Sequence, residues 1–116
     1  MKIVGTYRAE FNTATGQTLP CGDIFQSDGL LKHIQKHHPN ETWVINEIPN
    51  VIRDPDYIGR HPNEPDSIEL VKTIGDNVMV CIKLDKKNGY LFVASAFTIN
   101  NSKLNNRLKS GRVKKC

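Results

Sequence analysis

Three β-branched runs in the second half of the chain constrain its fold more than any other feature. They read SIELVKTI, NVMVCIKL and YLFVASAFTI, and short connections with turn residues at Gly75–Asp76 and Lys87–Gly89 join them. Valine, isoleucine, threonine and aromatic residues favour strands, while glycine and asparagine favour the tight turns that join neighbouring strands. The pattern therefore predicts a three-stranded antiparallel meander.

The turn between the second and third runs predicts which side chains share a face of that meander. With a three-residue loop, Cys81 lies opposite Ser95 and Lys83 lies opposite Val93, so that Lys83 and Ser95 are diagonal neighbours on one face. A one-residue error in the loop would exchange the two faces. The other face is predicted to carry the better core, which consists of Val78, Val80, Ile82, Phe92, Ala94 and Ala96.

The predicted register leaves the placement of two polar residues open. Thr98 falls on the core face unless a bulge intervenes. Glu69 lies directly opposite Lys83 in one register of the first turn and faces away from it in the other. The sequence thus leaves open whether a carboxylate lies beside Lys83.

Weaker patterns lie at both ends of the chain. Residues 2–11 alternate well enough for a strand, the run NTATG favours a turn, and residues 17–26 predict a short broken strand, so that a weak hairpin is expected. Residues 100–112 predict a basic helix that docks through Leu104 and Leu108.

Two short helices are predicted between the hairpin and the meander. Ser27 or Asp28 caps the segment DGLLKHIQKHH, and Pro39 ends it. A second helix begins at residue 40 or 41 and continues through about Glu47, and Pro49 starts a further turn. The apolar residues of this region are predicted to be buried, namely Trp43, Val44, Ile48, Val51 and Ile52.

Length and composition indicate a single α+β domain over residues 1–116. The chain has 38% hydrophobic and 24% charged residues, which matches globular averages. No apolar run approaches the ~20 residues that span a bilayer, and the run MKIVGTYRAEF becomes polar too early for a signal peptide. Three widely spaced cysteines argue against a disulfide framework. These features predict a cytoplasmic protein without a membrane partner.

Positive charge is concentrated at the C-terminus. The last fourteen residues, KLNNRLKSGRVKKC, contain six Lys and Arg residues and no acid. Because the net charge of the whole chain is +4, the first 102 residues sum to −2. Such a block favours an anionic partner, most often nucleic acid, and a solubilising tail is the alternative.

No common cofactor motif occurs in the sequence. It contains no phosphate-binding glycine loop, zinc ribbon, HExxH helix or nucleophile elbow. His33 and His37 stand four residues apart on one helical face, a spacing that can hold zinc, but no third ligand accompanies them. The expectation is acid–base chemistry without a metal or cofactor, or no chemistry.

Six runs taken together resemble a known group of nucleases. They are GLLKHIQKHHP, IPNVIRDPDYIG, DSIELVKTI, VCIKLD, YLFVASAFTI and SKLNNRLKSGRVKK, in that order. The chain resembles the phage-associated barnase–EndoU–colicin–RelE-like (BECR) nuclease domains over residues 28–115, which leaves residues 1–26 as an N-terminal hairpin or extension. The resemblance implies an α+β domain with a metal-independent RNase site on one face of an antiparallel sheet. It also implies a phage or mobile-element gene whose product acts in the cytoplasm of a bacterial host.

The resemblance implies three kinds of catalytic residue. They are an upstream helical histidine, a basic strand residue, and a serine or threonine on the last strand. In this sequence they correspond to His33 or His37, to Lys83, and to Ser95, with Thr98 as the alternative to Ser95.

Further basic residues are expected to hold RNA rather than to react. Arg60 and His61 lie on a Pro-rich loop, and Arg107, Lys109 and Arg112 lie in the basic C-terminal segment. RNA, with tRNA as one candidate, is therefore the expected partner, and a phage or host inhibitor protein is a second.

The chemistry of metal-free RNA cleavage fits these residue types. The neighbouring 2′-OH attacks the phosphate and leaves a 2′,3′-cyclic phosphate, which requires a base, an acid and a cation near the phosphorane. Histidine suits the first two roles, lysine or arginine the third, and serine can donate to a phosphate oxygen. The alternative is an RNA- or protein-binding module of the same fold that does not turn over.

Overall fold

A seven-stranded sheet with helices packed on it forms the computed structural model, which describes residues 1–116. The strands are β1 (Lys2–Tyr7), β2 (Gly22–Gln26), β3 (Tyr57–Gly59), β4 (Ser67–Ile74), β5 (Asp76–Asp85), β6 (Tyr90–Ile99) and β7 (Val113–Lys115). The helices are α1 (Ala9–Thr15), α2 (Leu30–His37), α3 (Ile48–Arg53) and α4 (Asn101–Ser110), and a 3-10 helix (Pro39–Glu47) joins α2 to α3. The mixed α+β class is confirmed.

The sheet has the strand order β1-β2-β6-β5-β4-β3-β7. Its centre is the antiparallel meander of β4, β5 and β6 that the sequence predicts. On one side β2 joins β6 in parallel, with Phe25 beside Phe92, and β1 then pairs with β2. On the other side β3 and β7 extend the sheet in antiparallel pairs.

The turn between β5 and β6 differs from the predicted one. Asp85 pairs with Tyr90, so the loop contains four residues rather than three. The Asp85 carboxylate accepts hydrogen bonds from the backbone N–H of Asn88 (3.0 Å) and from its Nδ2 (3.0 Å), and Gly89 adopts a left-handed φ of 77°. These side-chain bonds favour the longer turn.

A bulge in β6 compensates for the longer turn. Lys83 lies opposite Phe92 rather than Val93, but Ala94 has no partner on β5, and Cys81 therefore lies opposite Ser95 as predicted. The predicted placement of Phe92 and Ala94 in the core is consequently wrong. Leu91 and Val93 occupy the core positions instead, and both are buried.

One face of the meander, here called the inner face, carries the main hydrophobic core. Val78, Val80 and Ile82 of β5 point into it. The helices α2 and α3 pack on the inner face, as the predicted burial of Val51 and Ile52 requires. Apolar residues buried on both sides of this interface supply most of the favourable free energy of folding.

Trp43 is an exception to the predicted core, since its residue surface is 38% exposed. Its neighbours Val44 and Ile48 are buried as predicted. The segment is a 3-10 helix, which has three residues per turn, so fewer of its positions face the sheet than in the expected α-helix.

The opposite face, here called the outer face, is only partly covered. Leu104 of α4 packs there against Val71 and Met79. Asn100 caps α4, because its side chain accepts a hydrogen bond from the Lys103 N–H (2.8 Å). No other helix contributes to this smaller core, so the rest of the outer face is open.

Three elements were not predicted from the sequence. The expected antiparallel pairing of two strands within residues 2–26 is observed between β1 and β2, but the predicted turn is wrong because α1 connects them. The strands β3 and β7 have only three residues each, which is too short for a recognisable alternation of side chains. The predicted C-terminal helix ends at Ser110, and β7 follows Gly111, which adopts a left-handed φ of 79°.

The contact between β3 and β7 depends on a glycine. Gly59 pairs with Val113, and a Cβ atom on Gly59 would overlap the Arg112 carbonyl and lie 2.7 Å from the Val113 Cα. The next residue, Arg60, donates its N–H to the Arg112 carbonyl (3.2 Å). Gly59 therefore fixes the position of Arg112 against the sheet.

We predict that Gly59→Ala lowers the free energy of unfolding by about 2 kcal/mol or more, because the added methyl group must displace backbone atoms. Gly29→Ala is the matched control, since a Cβ on Gly29 meets nothing within 4 Å and its φ of −81° suits alanine. Urea denaturation of both variants measures the difference. Equal stability of the two variants would contradict the close β3–β7 contact.

Candidate functional site

Polar side chains cluster on the open part of the outer face. In one row across the sheet Ser67 of β4 lies opposite Lys83 of β5. In the next row Glu69 lies opposite Cys81, which in turn lies opposite Ser95. Neither predicted register for Glu69 is correct, because it lies on the same face as Lys83 but one row away. The structure thus brings Lys83 and Ser95 to one face in adjacent rows, with the Glu69 carboxylate in the row of Ser95.

A cavity of about 210 Å³ opens over these rows. His61 and Glu64, from the loop between β3 and β4, complete its wall together with Ser67, Glu69 and Lys83. The Ser67 hydroxyl donates to the Glu64 carbonyl (2.9 Å) and fixes this loop against the sheet. We call this cavity the outer-face site.

Lys83 contributes a cation that is accessible from solvent. Its Nζ lies 3.1 Å from Glu64 Oε2, and the two side chains are 42% and 51% exposed. Such an exposed ion pair contributes little to stability and exchanges readily for another anion. Lys83 is therefore available to an incoming phosphate.

Glu69 contributes a buried carboxylate. Only 2% of the residue is exposed, and Arg112 binds both of its oxygens, with Nε–Oε1 and Nη2–Oε2 distances of 2.8 Å. Two parallel charged hydrogen bonds are the strongest arrangement for such a pair. The hydrogen bonds that Arg112 donates to Glu69 raise the pKa of the guanidinium above its ordinary value, so that Arg112 remains a cation.

His61 enters the site from its loop and is half-buried. Its Nδ1 accepts a hydrogen bond from the Asn63 backbone N–H (3.0 Å). An imidazole that accepts at Nδ1 carries its proton at Nε2 when neutral. His61 can therefore present an Nε2–H hydrogen-bond donor to a bound substrate.

Cys81 lies on the floor of the site but is not suited to nucleophilic chemistry. Burial, and secondarily the nearby Glu69 carboxylate, raise the pKa of the Cys81 thiol to about 12. The thiolate is the reactive form of cysteine, and it is scarcely populated at neutral pH under these conditions.

A second, basic cleft of about 600 Å³ adjoins the site at Arg112. Arg60 and Arg107 line it as well, and it has no hydrophobic residue in its wall. The Arg107 side chain lies against Met79, with 2.7 Å between Nη1 and the sulfur. Three of the residues expected to hold RNA thus meet in one cleft, while Lys109 is exposed elsewhere on α4.

The histidines expected to act with Lys83 lie elsewhere. His33 and His37 are exposed on α2, with 4.7 Å between their ring centroids. Leu30 and Ile34 dock α2 in the inner-face core, and neither histidine lines the outer-face site. No group of three or more His, Cys, Asp or Glu side chains is placed to hold a metal ion.

Thr98, the alternative to Ser95, is also outside the site. It pairs with Val78 on the inner face, which is the core face on which the sequence places it. Its backbone N–H donates to Glu41 Oε1 (2.7 Å), and its hydroxyl donates to the same oxygen. Thr98 therefore anchors the 3-10 helix to the end of β6.

Sequence reasoning missed the partnership of Glu69 with Arg112 and the role of Glu64. A glutamate within the apolar run SIELVKTI is a usable signal, because a buried carboxylate needs a cation. The sequence does not identify the partner, since Arg112 lies 43 residues away.

We predict that Arg112→Met lowers the free energy of unfolding by about 3 kcal/mol, because it leaves the Glu69 carboxylate buried without a partner. The double variant Glu69→Gln, Arg112→Met should recover part of that loss. Lys86→Met is the control, since it breaks an exposed pair with Asp66 (2.9 Å) and should cost less than about 1 kcal/mol. Similar losses for Lys86→Met and Arg112→Met in urea denaturation would contradict this account.

Comparisons with known proteins locate the chain in a family. Searches of curated proteins and of solved structures found no match. No helix has the length and apolar character needed to cross a membrane. A family model described as phage-Barnase-EndoU-ColicinE5/D-RelE like nuclease3 matches residues 1–106, a range that includes the first 26 residues. The chain therefore belongs to the phage Barnase–EndoU–ColicinE5/D–RelE-like nuclease 3 family.

Proposed function

We propose that this protein is a metal-independent endoribonuclease that cleaves RNA by 2′-OH attack and leaves a 2′,3′-cyclic phosphate. The observation that carries the proposal is the convergence of Lys83, Arg112, Glu69 and His61 on one face of an otherwise apolar sheet. Membership in a nuclease family supports this use of the site.

The two cations have the electrostatic role. The phosphorane formed during attack carries more negative charge than the ground-state phosphate, and fixed cations stabilise that added charge. Arg112 is held in place by Glu69, whereas Lys83 exchanges Glu64 for the phosphate. The Ser95 hydroxyl, on the same face, is assigned to donate to a phosphate oxygen.

The remaining two groups move protons. Each Glu69 oxygen keeps a second lone pair beside its bond to Arg112, and Glu69 lines the cavity. Through such a lone pair Glu69 accepts the proton of the 2′-OH as the 2′-oxygen forms its bond to phosphorus. For the acid step His61 is the imidazolium, whose protonated Nδ1 has released the Asn63 N–H. It donates its Nε2 proton to the 5′-oxygen as the bond from phosphorus to that oxygen breaks, and the neutral imidazole that remains carries its other proton at Nδ1. Exchange with solvent then removes the proton from Glu69 and returns one to His61. In this proposal His61 takes the role that the resemblance gave to His33 or His37.

The basic cleft extends the proposed site along the RNA. Arg60 and Arg107, beside Arg112, would contact phosphates next to the scissile one. We also propose that the gene is of phage or prophage origin and that the substrate, with tRNA as one candidate, lies in the host cytoplasm. The name of the family supports the phage origin.

We predict that the protein cleaves a mixed RNA pool in the presence of EDTA and leaves cyclic phosphate ends. Lys83→Ala should lower kcat/KM by roughly 100-fold or more, because it removes a cation that stabilises the transition state. The control is Lys72→Ala, a strand lysine in the same sheet whose Nζ lies 3.2 Å from Asp54, away from the cavity. The rate of fragment formation gives kcat/KM, and mapping the 3′ ends of the fragments identifies the cyclic phosphate.

Two outcomes would contradict the proposal. Equal activity of the Lys83→Ala and Lys72→Ala variants would remove Lys83 from the site. Intact RNA at high protein concentration, with RNA binding retained, would favour a binding module of the same fold.

A further inference from the structure

Three aromatic rings continue the outer face beyond Lys83. Phe92 lies opposite Lys83, and Phe25 of β2 lies beside Phe92. Tyr90 stands two residues before Phe92, with ring centroids 5.8 Å from Phe25 and 6.1 Å from Phe92 in edge-to-face arrangements. All three residues are half-buried, and none belongs to either hydrophobic core.

Two of these rings, Phe92 and Phe25, form one row across the sheet with Lys83. Ser67, Lys83, Phe92 and Phe25 are successive neighbours on β4, β5, β6 and β2. Neighbouring strands lie about 4.8 Å apart, so the aromatic half of the row begins one strand from the cation. The row therefore has a polar, cationic half and an aromatic half.

A nucleotide has the same division, since it joins an anionic phosphate to a flat base. Single-stranded RNA is commonly held by cations along its backbone and by aromatic rings against its bases. Lys86 and Lys87 in the adjoining turn are exposed and add positive charge near the rings. A partner with alternating anionic and flat apolar groups fits this row.

We propose that Phe25, Tyr90 and Phe92 form a base-stacking subsite for single-stranded RNA beside the phosphate held by Lys83. The inference rests on the proposed nuclease function and adds the form of the substrate. Because stacking tolerates every base, the subsite selects for an unpaired nucleotide rather than for a particular sequence. The protein would then cut in loops or unpaired ends.

The test separates base stacking from backbone binding. Two labelled probes of equal charge are used, a 2′-O-methyl hexauridylate that cannot undergo 2′-OH attack and an abasic hexamer of the same backbone. Fluorescence anisotropy gives their Kd values with the wild-type protein and with Phe92→Leu and Phe25→Leu. Phe97→Leu is the matched control on the same strand and face, where its ring stacks on His38 (4.8 Å) away from Lys83. Unfolding midpoints establish that each variant is folded. If Phe92→Leu does not fold, the Kd values of Phe25→Leu decide the test.

We expect the substitution of a stacking ring to weaken binding only of the probe that carries bases. Phe92→Leu should weaken binding of the hexauridylate roughly tenfold and leave binding of the abasic hexamer unchanged. Phe97→Leu should change neither Kd. Equal losses for both probes, no loss for either, or the same loss with Phe97→Leu would overturn the stacking subsite while leaving the nuclease proposal standing. Failure of the wild-type protein to bind either probe would contradict both proposals.

Discussion

The ion pair between Glu69 and Arg112 is the interaction on which the outer face depends. Glu69 introduces a charge into an apolar sheet, and that burial is tolerated because Arg112 binds both carboxylate oxygens. Arg112 reaches Glu69 because β7 closes against Gly59. The same pair leaves a fixed cation and a fixed carboxylate near Lys83. A requirement of folding thus supplies two of the groups that the proposed chemistry needs.

Much of the sheet could be predicted because its signals are local. The β-branched runs and their turns predict β4, β5 and β6, and the predicted partnership of Cys81 with Ser95 is observed. That success depends on two deviations that cancel, since the longer turn shifts the register by one residue and the bulge at Ala94 restores it. Between the turn and the bulge the predicted faces are reversed, which explains why Phe92 lies on the outer face.

The rest of the site could not be predicted because its contacts are distant in sequence. The strands β3 and β7 acquire their structure from pairing rather than from their own three residues. Nothing local distinguishes His61 from His33 and His37 as a partner for Lys83. The distinction arises from packing, because α2 docks on the inner face while the loop after β3 carries His61 to the outer one.

The central claim is that the outer face, with His61, is the catalytic centre. The most direct measurement compares rates of cyclic-phosphate formation for His61→Gln and for the double variant His33→Gln, His37→Gln. We expect a large loss of rate for His61→Gln and a rate close to wild type for the double variant, because His61 lines the outer-face site and the other two histidines do not. Loss of cleavage in the double variant with activity retained in His61→Gln would contradict the central claim.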